Sequence, residues 1–257
     1  MEDLNFILKK FVDVSLSKPL LIQGLPGMGN VGKITVDFLL QSLKAKRVYE
    51  IRSSLFPSYA FVTQNNILEA PRMEVYHKKI KKRDILFLTG DVQPFEDHAS
   101  YLFSHHLLSF LKKLHVEEII TLGGIGLEHP PHHPHLYLAG TDKKMLRKYQ
   151  GRELKEASSI LLGPILGMTG LTLALSKEYA LPGVSFLVET TGTPGHLGIK
   201  ESKELIQLLN KKLGLGINIK EFEKETKFIE TQLHEIFEKP FEEESHSTKK
   251  EVTNYIG

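Results

Sequence analysis

The stretch KPLLIQGLPGMGNVGKITVDFLL, Lys18 to Leu40, narrows the folds open to this chain more than any other. Lys18 to Gln23 reads as a buried apolar strand. Gly24, Gly27, Gly29 and Gly32 then crowd one loop, and Lys33 to Leu43 places Ile34, Phe38 and Leu39 at helical spacing. The pattern repeats downstream. Strands are expected at Arg47–Ile51, Tyr59–Gln64, Arg72–Lys78, Asp84–Asp91, Glu117–Gly126, from His135 through LYLAGTD, and at Val184–Thr190. Helices are expected at Asp97–Leu114, Leu171–Tyr179 and Glu201–Leu213, the last stopped by Gly214, and a short one at Asp3–Val12. Strands alternating with helices predict an α/β fold, a three-layer sandwich around a mixed central sheet.

The glycines match two nucleotide-binding signatures at once. Gly27, Gly29 and Gly32 fit G-x-G-x-x-G between a strand and a helix, and Glu50 ends the next strand, where a ribose-binding acid is expected. Gly27 to Lys33 also fits GxxxxGK, but Ile34 stands where a hydroxyl should ligate magnesium and Thr35 comes one residue late. One residue on a helix turns a side chain by about 100°, so the P-loop reading fails on chemistry. The competing reading needs no ligand: small residues permit a tight turn and close helix packing. A second small-residue run, GPILGMTGLTLAL from Gly163 to Leu175, admits the same two readings.

Other candidate groups are sparse. His129, His132, His133 and His135 in EHPPHHPH supply four imidazoles, but the interleaved prolines favour extended backbone, in which neighbouring side chains diverge. The expectation is no metal, with those four as the alternative ligand set. Asp91, Glu96, Asp97 and Glu189 lie near strand ends without obvious partners, and neither a G-x-S-x-G elbow nor an H-E-x-x-H helix is present. No catalytic residue and no cofactor are therefore expected. The alternative is a nucleotide- or nucleoside-phosphate-binding enzyme built on Gly27, Gly29, Gly32 and Glu50.

Composition limits partners. Thirty-three Lys and Arg against 31 Asp and Glu leave a formal charge of +2, too balanced for a duplex nucleic-acid footprint. With no Cys there is no disulfide framework and no thiolate metal site. No apolar run reaches about 18 residues, and the start MEDLNFILKKFVD lacks a basic n-region before an apolar stretch, so no membrane and a cytoplasmic setting are expected.

The division expected is an α/β domain over 1–216, an amphipathic helix over 217–239 and a polar tail over 240–257. Asn218 with Glu221 forms a capping-box-like start. Ile219, Phe222, Thr226, Ile229, Leu233 and Ile236 follow at spacings of three and four, a short heptad seam that fits either a helix docked on its own domain or an oligomer interface.

Taken in order, GLPGMGNVGK, SSLFPSYAFV, LTGDVQP, TLGGIG, GPILGMTGL and FLVETTG resemble the proteasome assembly chaperone family, specifically archaeal relatives of its second eukaryotic subunit, over roughly residues 15 to 238. The resemblance implies a fold similar to purine nucleoside phosphorylases without their catalysis, a homo-oligomer, and a role in helping proteasome α-subunits assemble, with those subunits or a paralogous chaperone subunit as partners. It also implies that the glycine loop is a structural turn. Docking relatives often end in a hydrophobic residue, tyrosine and any residue. Here Tyr255 is third from the end after Asn254, so Tyr255 and Ile256 are the tail's partner-binding candidates, displaced by one position.

Overall fold

The computed structural model describes residues 4–63, 65–94, 96–129, 131–156, 164–193, 195–224 and 226. Among these, nine strands form one mixed sheet: β1 (Ile7–Lys10), β2 (Leu20–Gly24), β3 (Lys46–Arg52), β6 (Met73–Ile80), β7 (Arg83–Gly90), β8 (Glu118–Leu127), β9 (Leu136–Gly140), β10 (Leu154–Glu156) and β11 (Gly183–Thr191). Their spatial order is β1-β3-β6-β7-β2-β8-β11-β9-β10. Two further short strands, β4 (Phe61–Val62) and β5 (Leu68–Glu69), make a separate hairpin.

β7, β2, β8 and β11 run parallel at the centre, as their continuous burial requires. Helices α1 (Val31–Leu43) and α5 (Ile199–Leu213) pair with one another and pack on the central strands, while α2 (Asp97–Lys113) pairs with α4 (Met168–Leu175). Leu21, Leu86, Leu88 and Ile119 join Phe103, Leu107 and Leu111 of α2 and Met168 and Leu173 of α4 in one core. The alternate residues Leu20, Ile22, Phe87 and Ile120 are equally buried and point to the opposite face, so both faces of the sheet are covered. A short helix, α3 (Lys143–Tyr149), lies against β9 and is capped by Asp142, whose carboxylate accepts from the Met145 amide at 2.9 Å.

Three local expectations are corrected. Asp3–Val12 is not a helix: it contains β1, because its backbone pairs antiparallel with β3 and Phe6 reaches the α2 core, and pairing overrides the helical spacing. The strand expected at Glu117–Gly126 is shifted by one residue: β8 starts at Glu118 and continues through Gly123, Gly124 and Gly126 to Leu127 in register with β11. The helix expected at Leu171–Tyr179 starts earlier, at Met168, and ends in a 3₁₀ turn from Ser176 to Tyr179.

The chain divides into two units, Met1–Ile219 and Lys220–Gly257. Residues 219–224 and 226 are helical, which puts the start of the C-terminal helix directly after Asn218. No described helix is long and apolar enough to cross a membrane.

Candidate functional site

β2 and β8 are neighbours, yet the chain leaves β2 toward one side of the sheet and reaches β8 only after building the other strands of that side. Such a reversal opens a crevice beyond the carboxyl ends of the two strands, where α/β proteins place ligands. A cleft of about 380 Å³ lies there, walled by Leu25, Gly27 and Met28, by Leu122 to Gly126 and Leu187, and by Pro164 to Gly167 and Thr169. Among its described lining residues none is charged. Gln93 braces one wall: its amide nitrogen donates to Pro26 O at 2.7 Å and its Oε1 accepts from Met168 N at 2.9 Å.

Of the loop's four glycines, Gly24 and Gly32 serve this approach of backbones. An added Cβ at Gly24 would stand 2.1 Å from Gly32 O, and one at Gly32 would stand 2.6 Å from Leu122 O. Helix α1 therefore rests directly on β2 and β8. Gly29 adopts φ +57°, and a side chain there would meet Thr190 Oγ1 at 2.6 Å. Gly27 faces the cleft, and a Cβ there would meet nothing nearer than Gln93 Nε2 at 3.9 Å. Lys33, the lysine of the GxxxxGK pattern, bonds Asp37 at 2.8 Å, one turn along its own helix.

Glu50 is not brought to the loop. β3 is separated from β2 by β6 and β7, whereas the dinucleotide reading needs the two side by side. Glu50 is buried and held by Arg52 at 2.8 Å, with Arg47 at 3.7 Å. The nucleotide signature is thus broken by strand order, a property no local spacing reveals.

The His-rich segment precedes β9, which runs antiparallel to β11 and so starts at the same end as the cleft. Among the described residues no three of His, Asp or Glu converge as a metal would require, and His129, His132 and His133 do not assemble around His135. His135 instead meets Glu189, expected to lack a partner: Nδ1 lies 2.7 Å from Oε2, the His135 amide donates to the same oxygen at 3.0 Å, and Tyr137 donates to Oε1 at 2.6 Å. Burial pushes the Glu189 carboxyl up, but these hydrogen bonds outweigh it and hold the group below the usual carboxylate value. Burial, and then the hydrogen bond and charge of Glu189, raise the Tyr137 phenol. Sequence offered one signal for this group, an acid at a strand end; its partners lie 52 and 54 residues away.

Of the other singled-out residues, Asp91 accepts from the Arg72 amide at 3.2 Å, and Glu96 and Asp97 open α2. His105 Nδ1 sits 2.8 Å from the Tyr179 hydroxyl, and His106 stacks on Phe6. Ile219 is half-buried and Phe222 is buried. Ile229, Leu233, Ile236, Tyr255 and Ile256 lie outside the described residues.

Sequence reasoning missed how apolar side chains are distributed over this end. Met28, Tyr101, Leu166 and Leu197 surround the cleft with 38–75% of their surface exposed. The β4–β5 hairpin, reached from the end of β3 on the same side, adds Phe61, Val62, Ile67 and Leu68. Outside the segment 4–12, every exposed large hydrophobic residue among those described lies at this one end. A two-stranded hairpin is only marginal by itself in water, and apolar patches of this kind mark interaction surfaces.

Fold and site together define an α/β sandwich with a switch-point cleft whose described lining is uncharged, set in an apolar rim. The chain belongs to the PAC2 family, whose model matches residues 21–237. It is 29% identical over 246 residues to an uncharacterized protein of Methanocaldococcus jannaschii, covering 93% of this chain and 91% of that one. Among solved structures it superposes on Pyrococcus furiosus PbaB, an archaeal proteasome activator, with a TM-score of 0.81 and 27% identity over 91% of this chain and 100% of that one. It shares its fold with P. furiosus PbaA, an archaeal homolog of proteasome-assembly chaperone, with a TM-score of 0.74 and 23% identity over 91% and 92% of the two chains.

Proposed function

We propose that this chain is a non-enzymatic, cytoplasmic, homo-oligomeric binding protein of the proteasome assembly chaperone type, and that it engages proteasome α-subunits or a paralogous chaperone subunit. The observation that carries this reading is the end of the sheet itself. Where an α/β enzyme would gather charged and titratable groups, the described cleft lining is apolar and glycine-rich, and its rim exposes large hydrophobic side chains. The likeness to an archaeal proteasome activator supports the choice of partner. The tail candidates Tyr255 and Ile256 and the seam of Ile219, Ile229, Leu233 and Ile236 belong to the same proposal, the first as a second contact and the second as the oligomer interface, while Phe222, buried within the single chain, is left to packing.

Retention on immobilised archaeal α-subunits tests it with three proteins: the full chain, a form ending at Lys239, and the full chain carrying Leu166→Glu. The full chain should be retained and Leu166→Glu should not. Equal retention of the shortened form would remove the tail from the mechanism. Failure of the full chain to bind would sink the reading.

A further inference from the structure

A row of polar side chains crosses the sheet beneath the cleft. The β2–β8 register sets Gln23 opposite Thr121, and the β8–β11 register sets Thr121 opposite Ser185, so the three stand at one level on adjacent strands. All three are buried, at 1%, 0% and 0% exposure. They face α4. Leu21 and Ile119, two residues before Gln23 and Thr121, pack in the same core as Met168 and Leu173, and an added Cβ on Gly183, two residues before Ser185, would meet Leu173 Cδ1 at 2.7 Å. Thr172, one helical turn beyond Met168, is buried on α4 as well.

Gln23 Oε1, Thr121 Oγ1, Thr172 Oγ1 and Ser185 Oγ each lie fully buried without a protein hydrogen-bond partner. Gln23 uses its nitrogen, which donates to Met168 O at 3.1 Å. One such orphan is an oddity; three at one level of one sheet face, with a fourth on the helix that packs over that face, are not, because a buried polar atom without a partner forfeits its hydration. The inventory fits one ligand. Three hydroxyls donate and accept, the amide oxygen accepts, and no member of the row carries charge, so an ion finds no counter-charge while water, with two donors and two acceptors, serves every member.

We infer that this row is a built hydration site, a short chain of ordered water that joins β2, β8 and β11 to α4. The site lies one same-face position below the cleft floor, since Gly123 and Leu187 follow Thr121 and Ser185 by two residues. Gly123 has no side chain of its own there, and Thr169 and Leu187 close over it: an added Cβ would meet Thr169 Cγ2 at 2.9 Å and Leu187 Cδ2 at 3.2 Å. The same helix end that walls the cleft is thus seated on solvent and on two glutamines, Gln23 and Gln93, which grip the two sides of Met168. This inference does not depend on what the cleft binds.

A crystal structure of the full chain that orders solvent elsewhere in the interior tests it directly. Water should lie about 2.7–3.2 Å from at least two of the four atoms; a dry row overturns the inference. Thermal unfolding of Thr121→Val gives an independent reading, because valine keeps the shape and deletes the hydroxyl. If the hydroxyl holds water, the midpoint should fall by about 2–4 °C. If the hydroxyl is unsatisfied, the midpoint stays or rises, and that result also overturns the inference. Ser185→Ala serves the same comparison should the first variant not fold.

Discussion

The two ends of the sheet differ in what they leave exposed. At the end where the parallel strands begin, Glu118 is buried and accepts from Arg83 at 2.6 Å, from Lys148 and from the Tyr149 hydroxyl. Nearby Asp84 meets His77 at 2.8 Å and the Ser17 amide at 3.0 Å. At the other end the described cleft lining holds no charge and the rim is apolar. One end closes its polar groups on itself. The other closes Glu189 on His135 and Tyr137 but also leaves apolar surface exposed, and the proposed recognition rests on that surface.

The largest effect expected on this contrast comes from the glycine loop. Gly24→Ala forces a methyl group into the Gly32 backbone and Val36, and should cost roughly 4 kcal/mol or more in denaturant unfolding. A loop that merely cradled a ligand would tolerate it. Next, Glu118→Ala should destabilise by about 3 kcal/mol, the low end for removing one member of a buried charged group, because Arg83 and Lys148 are half-exposed and regain water. Retention on α-subunits, measured on the folded fraction, should not change.

Acid offers a finer probe of the same end. Burial pushes Glu118 up, but the bonds from Lys148, Tyr149 and Arg83 outweigh it and hold its carboxyl below the ordinary value of 4.5. A depressed carboxylate contributes stability above its unfolded pKa and loses it as pH falls through the lower folded one. The protein should therefore lose stability below about pH 4.5, with a shallower slope in Glu118→Gln; identical slopes would detach Glu118 from the acid limb. At the apolar end, Leu166→Glu should leave stability within about 0.5 kcal/mol while abolishing partner retention. The smallest effect belongs to NAD, ATP and inorganic phosphate. A ligand at a hundred times its dissociation constant raises stability by about 2.7 kcal/mol, and none of these should shift the melting temperature, since no described residue of the cleft lining is charged. A clear shift would reopen the nucleotide reading of Gly27, Gly29 and Gly32.

Much of the fold was legible locally. The strand at Lys18–Gln23, the glycine turn, the helix that follows, and the stop at Gly214, which adopts φ +63°, all rest on short-range sterics and periodicity. The first strand, α3 and β10 were not legible. Each is seven residues or shorter, and β1 and β10 exist because a longer neighbour offers a ladder. The site was half legible: the glycines marked the crevice, but their near-match to a dinucleotide signature pointed to Glu50.

The sequence by itself determined the alternation of strand and helix and the places where backbone must pass close to backbone, because both depend on residues within a turn or two of one another. Only the tertiary structure decided that two strands part Glu50 from the loop, that Glu189 meets His135 and Tyr137, and that Gln23, Thr121 and Ser185 share one level. Strand order and register are choices among distant partners. They are set by how the whole core packs, and no window of sequence contains that competition.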